Sequence, residues 1–485
     1  MSSLKQKTIS GLSWSFLGNF AGQFFSLIIG IILARLLGPR EYGLIGMVTI
    51  FTILTQPFIS SSFGTALIRK ETCTDVDFST VFYFNIFSGL LFYTLIFFAA
   101  PSISDFFNEP ELTRIARAIG IVIVIDAATL IQTTILTKSV NFKLQTKITL
   151  ASSALSGVLG IFLAYKGFGV WSLVYRNVFQ SFFQSVLFWF NSQWRPNRNF
   201  DIAVLKNMFG FSSKLLISAI IDKLYFNVYN LVIAKYFSAN ELGLFTRAKM
   251  FKDMIAENLS EIVGKVSFPV LSSIQNEPER LKESYIKIFL SINFVVWIFL
   301  FGLAGIAEPL ILVLLGDHWI NSVKYLQLLC FVGVFYPMHA LAKSVFYVFG
   351  RSGLFLRIQI FVKILAIPVI LVGILWGIKY MIFAMIFAAS LEFFVKGYFS
   401  GKLIDYSLSK QIIDLKQTFF LANALGLGLF IINIIGNWSP LITLLIQISI
   451  GAFITFTLSE IFKLKEYIFI KEIVTRQIKM IIKKE

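Results

Sequence analysis

Charged side chains recur at every fourth position in the segment 242–273. They are Lys249, Asp253, Glu257, Glu261 and Lys265. A spacing of four advances a residue by about 40° around an α-helix, so the five form a slowly winding stripe. Within it, Lys249 can pair with Asp253, and Lys265 with Glu261. The pattern predicts a polar helix face that meets charged ligands or a coupling ion.

Glu257 stands between two other acids of the stripe. Carboxylates four residues apart repel each other, so Glu257 needs a proton or a cation from elsewhere, and crowding would let it bind a proton near neutral pH. We predict that it is the ion-coupling residue, with Asp222 and Asp126 as the next candidates. The remaining isolated charges in apolar segments are interpreted mainly as structural: Arg176, Lys363 and Glu392.

The rest of the chain is too apolar for a soluble globular protein. Of its 485 residues, 57% are hydrophobic and 14% charged, with a mean hydropathy of +0.79, whereas soluble domains are about 25% charged. Apolar windows of about 20 residues predict membrane-spanning helices. Thirteen are predicted, at 12–34, 42–66, 79–101, 113–134, 147–165, 169–191, 210–234, 285–307, 320–342, 354–375, 379–400, 416–435 and 438–460.

The charged segment 242–273 is predicted to be the fourteenth span. If it crosses and the N-terminus is inside, the inner segments downstream hold 17 lysines and arginines and the outer loops two. Leaving it out of the membrane would invert that asymmetry, against the rule that positive loops face inward. We therefore expect about fourteen spans in the bacterial inner membrane, with both termini cytoplasmic.

A short motif, A-[RK]-x5-E-x-G-L, begins at Ala34 and again at Ala234. Both copies join one predicted span to the next on the outer side, which is typical of parallel internal repeats. The fold class expected is an all-α membrane protein with two parallel six-helix bundles around a central cavity, plus two helices. The predicted domains are the bundles 1–200 and 201–402, two further spans at 403–460, and a basic amphipathic cytoplasmic tail at 461–485.

The sequence gives little support for a metal site, a cofactor site or an enzyme active site. Cys73, Cys330, His318 and His339 form no ligand cluster, so neither a metal nor another cofactor is expected. There is no GK[ST] phosphate loop, and the loops are too short for a catalytic domain, so we do not expect an enzyme. The net charge of +17 follows from inner loops and the tail and needs no nucleic acid partner.

Three stretches resemble bacterial polysaccharide transporters. They are KQKTISGLSWSFLGNFAGQFFSLIIGIILARLLGPREYGLIGM at 5–47, the turn with Arg69 and Lys70, and GLFTRAKMFKDM at 243–254. Such Wzx-like flippases belong to the multidrug/oligosaccharidyl-lipid/polysaccharide superfamily. The resemblance implies a MATE-like fold and alternating-access export of an undecaprenyl-diphosphate-linked oligosaccharide for O-antigen, capsule or exopolysaccharide synthesis. It also implies coupling to an ion gradient and polymerase or chain-length proteins as partners.

Such a cargo suggests which residues bind it. A diphosphate or acidic sugar needs compact or forked cations, and sugars need amides and hydroxyls. The cations expected to hold the diphosphate or acidic sugar are Lys223, Arg247, Lys249 and Lys252. The amides expected to hold sugar are Asn19, Gln23, Asn227 and Asn230, and those of helix 1, Asn19 and Gln23, suit interhelical hydrogen bonds equally well.

The same residues bear on three other functions. A cation-coupled drug antiporter of this superfamily often has an acid in helix 1, and this chain has none between Lys7 and Glu41. The pattern typical of peptidoglycan-precursor flippases has arginines in helix 1, whereas this chain has Asn19 and Gln23 there. A membrane-embedded glycosyltransferase or polymerase, a different class, would need a paired-carboxylate motif in an outer loop.

Overall fold

The computed structural model describes residues 18, 21–464, 466–472 and 475, apart from the side chains of residues 60–62, 211 and 214. Within these residues the regular structure is entirely helical. Eleven helices are long and apolar enough to cross a membrane. The chain is therefore an all-helical, multi-pass membrane protein, as predicted.

The chain divides into two compact units, Met1–Gly243 and Leu244–Glu485. The helices of the first unit are α1 (Ala21–Leu36), α2 (Pro39–Gln56), a π-helical turn (Pro57–Ser61), α3 (Ser62–Arg69), α4 (Asp75–Phe107), α5 (Leu112–Lys138), α6 (Phe142–Tyr165), α7 (Val170–Asn191) and α8 (Ile202–Tyr236). α8, which follows the predicted boundary at residue 200, packs against α2, α3 and α4.

The second unit begins inside α9 (Ala239–Ser273), whose first turn belongs to the first unit. Its other helices are α10 (Pro278–Gly305), α11 (Ala307–Leu314), a short 3₁₀ turn (Asp317–Trp319), α12 (Ser322–Gly333), α13 (Tyr336–Val348), α14 (Ser352–Trp376), α15 (Ile378–Leu403), α16 (Leu408–Ile435) and α17 (Pro440–Ile461). Most of the predicted tail lies outside the described residues. In the described part, Tyr467 and Ile470 pack against Phe294, Leu421 and Leu464.

Three predicted spans are not among the eleven apolar helices. The described part of α1 is short, α7 carries Arg176 and several amides, and α9 carries the charged stripe. Helix ends also differ from the predicted windows, because a hydropathy window covers only the apolar part of a helix. α4, for example, starts at a capping box formed by Thr74 and Asp77, well before the predicted 79–101.

The predicted span 320–342 is two helices. α12 ends at Gly333, and α13 starts at Tyr336 with Pro337 in its first turn. A proline there donates no backbone hydrogen bond to the preceding turn. At the same break, the Trp297 indole donates a hydrogen bond to the Val334 carbonyl at 2.9 Å. The break therefore lies in the buried middle of a span.

In the first unit, the helix ends alternate between two levels as expected for successive crossings. At one level, Arg40 pairs with Glu109 at 2.8 Å, and Lys235 donates to the Phe106 carbonyl at 2.6 Å. At the other, Lys138 donates to the Leu67 carbonyl at 3.2 Å. The turns before α2, α5 and α9 therefore lie at one end, and those after α3 and α5 at the other.

The second unit has comparable contacts at its loops. Lys282 pairs with Asp405 at 2.8 Å, joining the start of α10 to the α15–α16 turn. This hydrogen bond holds the pKa of the Asp405 carboxyl below its ordinary value. Asn433 donates to Glu308 at 2.7 Å, joining the end of α16 to α11.

The repeated motif has a reciprocal contact in the first unit. A Cβ added to Gly43 would lie 1.6 Å from the Ala239 carbonyl oxygen, and one added to Gly243 would lie 1.8 Å from the Pro39 carbonyl oxygen. Both pairs are related by the 200-residue offset of the repeat. Only glycine permits so close a backbone approach. The two motif copies therefore pack against each other, each glycine against the other copy's helix start.

Candidate functional site

A buried lysine lies in the middle of α9. Only 1% of the Lys252 side chain is exposed, and its Nζ donates a hydrogen bond to Tyr336 Oη at 3.0 Å. The same Nζ lies 4.2 Å from the centre of the Tyr336 ring, and Gly333 leaves room for the lysine stem. A buried ammonium needs a counter-charge, which Asp253 supplies through an ion pair. Lys252 is thus fixed between α9 and α13.

Asp253 is shared by two lysines. Lys249 Nζ also pairs with it, at 2.5 Å, and 28% of the Lys249 side chain is exposed. The pairing confirms the one predicted from the spacing. Of the two lysines, Lys249 is the more accessible. An anionic group reaching α9 would therefore meet Lys249 first.

Glu257, one turn further along, has no such partner. Both nearby lysines pair with Asp253, and Glu261 pairs with Lys265 at 2.7 Å in an exposed position. No lysine or arginine in the described part of the chain lies within ion-pair distance of Glu257. The side chain is partly buried. The stripe therefore holds one carboxylate that lies beside Asp253 and its two lysines without an ion pair of its own, at the position predicted for ion coupling.

Arg247 lies on α9 nearer its start. Only 8% of the residue is exposed, and one guanidinium nitrogen is 3.2 Å from Met250 Sδ. The structure therefore brings Lys249 and Lys252 together on one carboxylate, and places Arg247 among buried side chains of the same helix.

The predicted polar face of α8 is formed in the first unit. Asn227 donates to the Lys223 carbonyl at 2.9 Å, and Asn230 donates to Asn227 Oδ1 at 3.3 Å. Lys223 and Asp222 are exposed. A charge facing lipid at the bilayer centre costs at least about 2.5 kcal/mol. This face of α8 therefore suits water or a polar ligand better than lipid chains.

Asp126 on α5 is hydrogen-bonded to side chains of two neighbouring helices. It accepts a hydrogen bond from Gln56 Nε2 at 3.3 Å and another from Ser181, which ties α5 to α2 and α7. On α1, Gln23 is exposed, and Asn19 lies outside the described residues.

One charged cluster was not predicted from the sequence. Glu392, interpreted as isolated, pairs with Lys396 on the same helix, and its Oε2 is 3.6 Å from His339 Nε2. The spacing of four between Glu392 and Lys396 was a visible signal of that ion pair. The approach of His339 was not visible, because α13 and α15 meet only in the folded chain.

Comparison with known proteins places the chain among polysaccharide proteins. The model of a family described as "Polysaccharide biosynthesis protein" matches residues 32–324, more than half of the chain. The teichuronic acid biosynthesis protein TuaB of Bacillus subtilis (strain 168) is 24% identical over 73% of this chain and 74% of its own. The succinoglycan biosynthesis transport protein ExoT of Rhizobium meliloti (strain 1021) is 23% identical over 67% of this chain and 66% of its own.

The fold also matches a solved structure. The lipid II flippase MurJ, in an inward closed conformation, superposes with a TM-score of 0.71, covering 92% of this chain and 98% of MurJ. The two sequences are 16% identical. At that identity the likeness concerns the fold alone.

Proposed function

Because the chain belongs to the polysaccharide biosynthesis protein family, we propose that it is a flippase for undecaprenyl-diphosphate-linked oligosaccharides. It moves them across the bacterial inner membrane for O-antigen, capsule or exopolysaccharide synthesis and is a transporter rather than an enzyme. The observation that carries the proposal is the family match over residues 32–324, which includes the polar face of α8 and the stripe of α9. The transport role in the name of ExoT supports it.

The proposed architecture has fourteen spans in two six-helix bundles, with α16 and α17 added and both termini cytoplasmic. Adding α1, α7 and α9 to the eleven apolar helices gives the fourteen spans. The alternating helix ends of the first unit support successive crossings. The bundles rock between inward-open and outward-open states. Polymerase and chain-length proteins receive the cargo outside.

The fourteenth span can be tested directly. Because the lysine and arginine asymmetry requires 242–273 to cross, a reporter fused after Glu241 should read periplasmic and one after Lys282 cytoplasmic. Reporter activity measured in cells gives the sidedness of each. Both fusions on one side would leave thirteen spans and invert the second half.

Cations of α8 and α9 hold the diphosphate. Lys249 and Lys223 are the accessible ones, whereas Lys252 and Arg247 fix the charge and packing of α9 around Lys249. Asn227 and Asn230, with Gln23 and Asn19 on the first helix, bind sugar hydroxyls. Glu257 binds the coupling ion, and Asp222 and Asp126 are the next carboxylates to consider.

A cell-based experiment tests this function and the role of Lys249 together. Deleting the gene should abolish surface polysaccharide and leave lipid-linked oligosaccharide in the inner leaflet. Complementation with Lys249→Ala should restore export about tenfold less well than wild type, because a hydrogen bond to a charged group contributes about 1.5–3 kcal/mol. Surface polymer and lipid-linked intermediates are both quantified by mass spectrometry.

Lys265→Ala is the matched control, because Lys265 is an exposed lysine of the same helix, paired with Glu261. It should export normally. Unchanged surface polysaccharide in the deletion strain would contradict the proposed function. Full export by Lys249→Ala would instead return Lys249 to a purely structural pair with Asp253.

A further inference from the structure

A cavity lies in the first unit, at the helix ends that hold the Arg40–Glu109 pair. Its volume is about 420 Å³, within the usual range for small-molecule sites of roughly 300–1,000 Å³. It forms where the first turns of α2, α5 and α7 meet. The side chains that give it chemical character are Arg40, Glu41, Glu111, Arg114, Phe168 and Trp171.

The two arginines of this cavity differ in their ion pairs with the described residues. Arg40 is held by Glu109 at 2.8 Å and by Glu111 at 3.5 Å. Arg114 is exposed and makes no ion pair or hydrogen bond with any residue that the structure describes. Its five N–H donors are therefore open to a ligand. Glu111 is half exposed beside it and can accept from a hydroxyl.

The aromatic side of the cavity is built by the α6–α7 turn. Gly167 and Gly169 adopt positive φ angles, +81° and +53°, which only glycine adopts without strain. The turn sets Phe168 and Trp171 along the cavity wall, and Trp171 packs against Tyr175 at 5.7 Å between ring centres. Its indole N–H donates to no described residue. The wall thus offers a fixed aromatic face and a free donor.

We propose that this cavity binds the sugar part of the exported oligosaccharide at the end of the first unit that the charge asymmetry assigns to the outside. A forked cation, carboxylate acceptors and an aromatic face match the hydroxyl edge and the apolar face of a pyranose ring. The cavity has no excess of positive charge to favour a diphosphate. The proposal rests on the proposed function, since it takes the cargo's sugar as ligand.

The test measures binding of sugar to the full-length protein in nanodiscs. The probe is the repeat-unit oligosaccharide released by mild acid from lipid-linked intermediates of the same cells, so that it lacks lipid and diphosphate. Titration calorimetry should give binding by wild type, and Arg114→Gln and Trp171→Ala should each weaken it about tenfold. Lys166→Gln, on the same turn but outside the cavity lining, should bind like wild type.

A second variant of Arg114 controls for misfolding. A second ligand, the finished polymer, distinguishes binding of the repeat unit from binding of the polymer. Arg114→Lys keeps the charge but loses the fork, so it should bind less well than wild type while melting at the same temperature. The repeat unit should bind better than the finished polymer at equal sugar concentration. Binding of the polymer alone, or repeat-unit binding unchanged in the Arg114 and Trp171 variants, would overturn the proposal.

Transport measured separately distinguishes this proposal from the function on which it rests. If deletion of the gene leaves export intact while sugar binding still depends on Arg114 and Trp171, the flippase function fails and the site stands. If deletion stops export but both variants bind sugar normally, the function stands and the site fails.

Discussion

Replacing Gly43 by alanine should lower polysaccharide export at least about tenfold. Glycine to alanine in a helix normally stabilises it by about 1 kcal/mol, so the expected direction is opposite to the usual one. The added Cβ would meet the Ala239 carbonyl oxygen at 1.6 Å, which no side-chain rotation can relieve. A shift of about 1.4 kcal/mol between two states changes their ratio tenfold, and backbone displacement costs more than that.

The structural effect of this substitution can be read independently of transport. The background for this experiment is a variant in which Cys73 and Cys330 are replaced by serine. In that variant Leu242, which is buried beside the contact, is replaced by cysteine. Its labelling by a soluble thiol reagent should become several-fold faster in the Gly43→Ala chain. Gly243→Ala should behave likewise, because its Cβ would meet Pro39.

Gly210 provides the control for helix propensity. It lies in the same unit with nothing within 4 Å of an added Cβ, so Gly210→Ala should leave export and labelling unchanged. Normal export by Gly43→Ala would mean that the contact between the motif copies is not needed for the transport cycle.

Substituting Glu257 by glutamine should abolish gradient-driven accumulation of cargo while leaving folding and cargo binding intact. Glutamine has the size of a protonated glutamate but neither takes up nor releases a proton. Glu257 lies beside Asp253, and the two nearby lysines both pair with Asp253, so a proton or metal cation can offset the charge that these lysines share between two carboxylates. Binding and release of that ion then bias the two bundle states.

The measurement uses purified protein in liposomes with an imposed pH or sodium gradient. Wild type should accumulate lipid-linked oligosaccharide in one leaflet, and Glu257→Gln should only equilibrate it. Glu261→Gln is the control, since Glu261 is exposed and paired with Lys265. Uphill transport by Glu257→Gln with a normal pH dependence would exclude this carboxylate and direct the search to Asp222 and then Asp126.

The helices and the pairs within them were accessible from the sequence. Hydropathy depends on composition along a single helix, and an ion pair four residues apart depends on the pitch of that helix. For this reason the pairs Lys249–Asp253 and Glu261–Lys265 were predicted and confirmed. The break before Pro337 was missed, because a hydropathy window averages over a two-residue interruption. The family resemblance was likewise carried by local motifs.

Contacts between helices were decided only by the folded chain. Nothing in the sequence indicated that Lys252 would be buried against Tyr336, or that His339 would approach Glu392, because such pairs depend on helix rotation and packing angle. The glycines of the repeated motif were visible as a pattern, but their reason, a backbone approach too close for any Cβ, is a tertiary one. Likewise, three separate turns form the cavity around Arg114. The sequence determined the class of protein and the charges that it carries into the membrane. The tertiary structure determined which of those charges are neutralised and which remain open to a ligand. Neutralisation depends on distances between residues far apart in the chain, and only folding sets those distances.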